Sequence, residues 1–326
     1  MPEEKLMEEA LSILHEKGKE AVIMAKNEIH RNETTFEPFQ ESIEYFMEDW
    51  NDFLHPALVS LAWEAVGGKE YSTTRIGAAL VLLAGGADIH DDLIDQSIVK
   101  EPKQTVFGKF GKDIAILAGD AFLLKGLYLL HDACQVLSNP DRKEIFEIVK
   151  NAFFESSSAE AKEASLRGRV DISLKDFLEI IHHKVATAEA ATRIGAVFGK
   201  AKRQEINTLG HFGRTYGKLL ALRDEFVDTF EIDELNNRIH REILPLPILL
   251  ALNDGSTKAE MSRLIEGSIN EEKVQRILDL SMDLKKTRSL VSYMKALTSK
   301  EVAKLRRTVD SEGYMEKLLW ATLEDL

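Results

Sequence analysis

The sequence predicts an all-α protein. Three observations carry that prediction: apolar residues recur three and four apart from end to end, alternating strand patterns are absent, and helix breakers are scarce. Of 326 residues only 7 are proline, against many Ala, Leu, Glu and Lys. The periodicity predicts a first helix over about 4–29, where Leu6, Ala10 and Leu14 share a face, ended by a polar stretch at Arg31–Thr35. A segment follows around Phe39–Asp52, then an apolar helix from Pro56 to Val66, closed by Gly67 and Gly68. The next helix runs from about Thr73 to Asp95, and a long apolar one from Ile114 to Leu137 is broken by SNPD at 138–141. Further helices are expected over 142–164, 174–198, 203–230, 242–253, 258–266, 271–296 and 299–325. The polar insert IDELNNRIHRE at 232–242 reads as a loop near a site. With no repeat and no Gly-, Pro- or Ser-rich linker, residues 1–326 are expected to form a single large helical domain.

Composition narrows the function. A net charge of −13 argues against nucleic acid as a partner, because non-specific binding needs a basic face. The same charge means that an anionic substrate has to be held by metal ions or local cations. A single cysteine, Cys134, excludes an intrachain disulfide and reads as a small buried hydrophobe. The N-terminus lacks the apolar run of a signal peptide, and the stretch IGAALVLLAGGA is too short to span a bilayer. A cytoplasmic protein without a transmembrane segment is expected.

The chemistry-bearing feature is GADIHDDLIDQ. On a helix, Asp88, Asp91, Asp92 and Asp95 are spaced i, i+3, i+4 and i+7 and fall on one stripe. Like charges at that spacing destabilise a helix, and no Lys or Arg shares the stripe to offset them. Carboxylates gathered at the end of an apolar helix suit a hard cation with oxygen ligands, chiefly magnesium, which shares its shell with waters and phosphates. In LLALRDEFVDTFE, Asp224, Glu225 and Asp228 repeat part of the pattern on a second apolar helix, and facing helices of a bundle can build a metal site in this way.

These residues resemble the trans-polyprenyl diphosphate synthases, the all-α enzymes that join an allylic diphosphate to isopentenyl diphosphate. Asp91-Asp92-Leu-Ile-Asp95 is similar to their first aspartate-rich motif, KFGKDIAILAGDAFLL (109–124) to the segment after it, and RDEFVD to the second motif. Lys184 in IHHKVATAEA stands where the family has a lysine for the allylic diphosphate, and LPLPILLAL (244–252) where a helix follows the flexible loop. The resemblance spans roughly 50–255 and implies a helical bundle of the isoprenoid synthase type around an apolar cavity. It also implies three magnesium ions on the two clusters, with Asp91, Asp92, Asp95, Asp224, Glu225 and Asp228 as ligands and Lys100 and Lys184 on the diphosphate. Substrate contacts at Gly86 and Ala87, and a homodimer, follow from the same resemblance; Asp88, an addition where the family usually has an apolar residue, is a further candidate substrate contact.

The departures touch one subsite. Where the family carries a basic Gly-Lys-Arg-x-Arg-Pro segment for isopentenyl diphosphate, this chain has Asn51-Asp-Phe-Leu-His-Pro56, so His55 is its one cation there. Where it carries Arg-Arg-Gly, this chain has Lys100, Glu101 and Pro102. Nearby cations at Lys69, Arg75 and Lys103 are candidates to compensate. Gly85, Gly86 and Ala87 read either as a tunnel left open for a long product or as small residues for close helix packing. Three functional readings follow: a prenyltransferase elongating an allylic diphosphate with isopentenyl diphosphate, a lyase that only ionises one, and a regulatory subunit of an active synthase.

Overall fold

Helices form wherever the apolar residues fall three and four apart. The computed structural model describes residues 5–30, 34–100, 103–306, 313–324 and 326, so Glu101 and Pro102 lie outside the described residues. Sixteen α-helices run through them: α1 Lys5–Ile29, α2 Glu37–Asp49, α3 Leu54–Ala65, α4 Thr74–Ile94, α5 Val106–Phe110, α6 Lys112–Ala133, α7 Asn139–Ala164 and α8 Leu174–Lys184 come first. They are followed by α9 Ala186–Phe198, α10 Arg203–Phe230, α11 Ile232–Arg241, α12 Leu246–Leu252, α13 Lys258–Leu264, α14 Glu271–Met282, α15 Lys285–Leu305 and α16 Tyr314–Ala321. Strand is confined, among the described residues, to the two-residue antiparallel ladder β1 Val99–Lys100 with β2 Lys103–Gln104.

The stretch expected as one helix over 299–325 holds the end of α15 and a separate α16, and four further elements differ from the sequence reading. The helix expected over 174–198 is two, because Val185 leaves helical geometry and its N–H is shared by the Ile181 and His183 carbonyls. The 232–242 insert is not a loop but α11, whose buried face is Leu235 and Arg238, three residues apart. The helix expected over 271–296 breaks at Leu284, which is extended, with the Thr287 hydroxyl donating to the Ser281 carbonyl at 2.7 Å across the corner. The β1–β2 ladder was too short for any alternation to reveal.

Packing divides the chain into two compact units. The first comprises Glu9–Lys150 and Ala188–Gly213. Its tightest pairing is α4 with α6, and glycine makes that approach possible. A Cβ on Gly86 would come within 2.8 Å of the Gly119 carbonyl oxygen and of Leu123 Cγ, and one on Gly126 within 2.8 Å of Leu83 Cγ. Phe46 and Phe122 close the layer edge to face, their ring centroids 5.2 Å apart. α6 with its short 3-10 extension, Lys112–Val136, is long and apolar enough to cross a membrane, and only 39% of its apolar 18-residue window is buried. Cys134 is fully buried, and burial pushes its thiol up to about 11, an inert state.

The second unit comprises Met1–Glu8, Asn151–Thr187 and Arg214–Leu326. α12 is its centre: every residue of Leu246–Leu252 is buried, against α8, α13, α14 and α15. Caps fix the helix starts, with Ser173 accepting from the Asp176 N–H at 3.1 Å and Asn270 from the Lys273 N–H at 2.9 Å. The acidic C-terminus has a structural use: the buried Glu324 carboxylate accepts the Leu6 and Met7 N–H groups, two of the orphan donors at the start of α1.

The contact of Gly86 with Gly119 is testable. Gly86→Ala places a methyl against a backbone oxygen, and overpacking of this kind costs about 1–3 kcal/mol. A lower thermal midpoint is expected by circular dichroism; an unchanged or higher midpoint would show that the α4–α6 spacing is not set by glycine.

Candidate active site

In the first unit, the C-terminal turn of α4 presents the four aspartates. Asp92 points inward and is 4% exposed, while Asp88, Asp91 and Asp95 are half-buried around it. Asp91 and Asp95 are one turn apart and each offers a carboxylate oxygen within 4.8 Å of the other's. Directly beyond the helix the chain reverses. Gln96 adopts a left-handed φ of 55°, the Ser97 N–H returns to the Asp92 carbonyl at 2.9 Å, and the β1–β2 ladder follows. The Thr105 hydroxyl donates to the Ser97 carbonyl at 2.6 Å and accepts from Gly108 N at 2.9 Å, tying the ladder to α5.

That reversal carries Lys100 back onto the stripe. Its Nζ lies 2.7 Å from Asp92 Oδ1 and 3.7 Å from Asp88 Oδ1. Burial raises the Asp92 carboxyl above its ordinary value, with Lys100 opposing the shift. Desolvation also opposes the charge on Lys100, but Asp88, Asp92 and Asp91 overcome it and hold the ammonium above its usual range. Lys100 thus meets two of the four carboxylates, and the donors of the stripe are all hard oxygens. The residues therefore fit magnesium.

The second cluster, in the second unit, is built differently. Glu225 and Asp228 on α10 converge on one guanidinium, that of Arg238 from α11. Arg238 donates to Glu225 Oε1 at 3.2 Å and Oε2 at 3.1 Å, to Asp228 Oδ2 at 2.5 Å, and from Nε to the Ile243 carbonyl at 2.8 Å. Glu225 Oε2 also accepts the Leu246 N–H at 2.8 Å. Desolvation opposes the charge on Arg238, and Glu225 and Asp228 overcome it, so its pKa lies above the ordinary value. Two of the three carboxylates expected as metal ligands here are thus spent on an internal arginine. Asp224 lies at a neighbouring pocket of about 180 Å³ with Phe177, Ile180, Ile181 and Lys184; desolvation by its surroundings, then the Asp228 carboxylate, push it up to about 6.

Lys184, at the C-terminal turn of α8, is flanked by Glu160 at 3.0 Å and Glu163 at 2.5 Å. Arg238 itself was missed. Its signal was present: in an insert read as polar, Leu235 and Arg238 share the face that helical periodicity would bury.

A family model described as polyprenyl synthetase matches residues 37–281. The chain belongs to the polyprenyl synthetase family. Its relatives include a short chain isoprenyl diphosphate synthase from Methanothermobacter thermautotrophicus, 29% identical over 238 residues, covering 70% of this chain and 71% of that protein. A chloroplastic geranylgeranyl pyrophosphate synthase from Arabidopsis thaliana is 28% identical over 264 residues, covering 75% of this chain and 70% of the relative. The fold is shared with geranylgeranyl pyrophosphate synthetase from Pyrococcus horikoshii, at a TM-score of 0.82 and 19% identity over 98% of this chain and 99% of that one. It is shared equally with a Caulobacter crescentus polyprenyl synthase solved with calcium and isoprenyl diphosphate, at 0.81 and 19% over 98% and 97%.

Within this polyprenyl synthetase chain, the segment before α3 carries little positive charge. His55 Nδ1 is 2.7 Å from Asp52 Oδ2, so the one cation expected there already has a carboxylate. Lys103 is likewise engaged, 2.7 Å from Asp49 and 3.1 Å from the Tyr45 carbonyl, while Lys69 and Arg75 are exposed. Of the small residues before the motif, Gly86 is buried against α6 and Ala87 is exposed, which favours packing over a tunnel wall at Gly86.

Burial opposes the charged form of His55, but Asp52 more than offsets it, and the pKa is raised above 6.5. The pair therefore stabilises the fold fully below the unfolded value and loses that contribution as pH rises through the folded one. The stability gap between the native chain and Asp52→Asn is expected to be widest below pH 6.5 and to narrow above the raised pKa, with the His55 midpoint falling in the variant by NMR. A gap that widens with pH would contradict the pairing.

Proposed function

We propose that this chain ionises an allylic prenyl diphosphate at the first aspartate cluster and joins the prenyl group to isopentenyl diphosphate. The observation that carries the reading is the stripe of Asp88, Asp91, Asp92 and Asp95 with Lys100 folded back onto it, in a chain of the polyprenyl synthetase family. Asp91 and Asp95 are the ligands proposed for magnesium, whose charge when bound neutralises a diphosphate leaving group. Asp92, buried and ion-paired, orients Lys100, and the Lys100 ammonium donates to diphosphate oxygens. Lys184 is the corresponding cation of the second unit, with Phe177, Ile180 and Ile181 keeping water from its pocket.

A second copy of the chain is the proposed partner. Ile116, Leu117, Leu124, Leu127 and Tyr128 of α6 are all exposed, Leu124 by 71%, and a homodimer would cover them without a membrane. A cytoplasmic location goes with that reading. Leu124→Glu is expected to shift the chain toward monomer by sedimentation velocity; a native chain that sediments as a monomer at every concentration would contradict it.

The activity test is direct. Purified chain with magnesium, allylic primers of five to twenty carbons and labelled isopentenyl diphosphate is expected to yield longer prenyl diphosphates, and Asp91→Asn to lower kcat/KM by about 10²–10³-fold. Diphosphate release without elongation from every primer would overturn condensation in favour of a lyase.

A further inference from the structure

We infer that Arg238 is the resident counter-ion of the second acidic cluster, standing where a divalent ion would otherwise bind Glu225 and Asp228, and that it latches α11 and residues 242–246 onto α10. The guanidinium is 5% exposed, and its donors are matched by Glu225, Asp228 and the Ile243 carbonyl. Glu225 has no oxygen to spare: Oε1 takes two Arg238 nitrogens, and Oε2 takes a third contact and the Leu246 N–H. Magnesium requires a near-octahedral oxygen shell at about 2.0–2.1 Å and keeps several waters. Glu225, buried and with both oxygens taken, offers no free lone pair, and half-buried Asp228 already gives Oδ2 to the same guanidinium. Arg238 supplies permanently the positive charge that the buried Glu225 and its neighbour Asp228 need.

The cluster is thereby divided. Asp224 and Glu225 both border the pocket, but only Glu225 and Asp228 are ion-paired with Arg238. The arginine also fixes the connection after α11, because it grips Glu225 and Asp228 of α10, the backbone at Ile243 and, through Glu225, the backbone at Leu246. The inference rests on the proposed function only in taking magnesium to bind at the first cluster; it is indifferent to condensation or lyase chemistry.

The test counts ions. Full-length chain is titrated with Mn2+ in the presence of inorganic diphosphate, free Mn2+ being read by electron paramagnetic resonance, for the native protein and for Asp228→Asn, Asp91→Asn and Arg238→Met. Asp228→Asn is expected to bind as many ions as the native chain, and a lost ion would overturn the inference. Arg238→Met is expected to gain an ion and to exchange its amides over 232–246 at least tenfold faster. Should that variant fail to fold, amide exchange of the native protein decides: protection over 232–246 is expected to hold at saturating Mn2+ and diphosphate, and its loss would mean that metal displaces the arginine. Asp91→Asn judges the first cluster separately, since an unchanged count there would sink the proposed metal site while leaving the Asp228 comparison to decide on Arg238.

Discussion

Carboxylates placed on apolar helices have to be neutralised, and the two acidic clusters meet that requirement in opposite ways. A carboxylate taken from water needs a partner, and breaking a buried pair typically costs about 3–5 kcal/mol. In the first cluster Lys100 meets Asp92 and Asp88. In the second, Arg238 brings the positive charge within the chain. In the reading proposed above, the first cluster recruits ions and the second does without them.

Local geometry explains how each arrangement is reached. The aspartate stripe stands at the end of α4, and glycines at 86, 119 and 126 let α4 and α6 close on each other. The left-handed Gln96 then reverses the chain within a few residues, so that Lys100 meets the acids that precede it. The second arrangement needs a helix instead of a turn. α11 must form for Arg238 to fall on the same face as Leu235 and enter the interior.

The all-α class, the order of the long helices and the first aspartate cluster were legible in the sequence because each rests on a short-range period. The i, i+3, i+4, i+7 spacing of Asp88 to Asp95 is a property of the helix itself and needs no tertiary knowledge. The partners of those residues were not legible. Lys100 reaches Asp92 through a turn, Lys184 meets Glu160 and Glu163 across a connection, and Arg238 meets Glu225 from a segment whose polarity resembles that of a loop. The breaks at Val185 and Leu284 were hidden for a similar reason, since neither residue carries the glycine or proline that usually marks one. Family resemblance pointed to metal at the second motif, and the arginine ten residues beyond Asp228 that engages the same carboxylates was not legible there.

The division between a metal-recruiting cluster and an arginine-filled one is the central claim, and anomalous scattering tests it most directly. Crystals grown with Mn2+ and a non-hydrolysable prenyl diphosphate analogue should give anomalous peaks against Asp91 and Asp95, with Arg238 still between Glu225 and Asp228. A peak coordinated by Glu225 or Asp228, with the guanidinium displaced, would contradict the account.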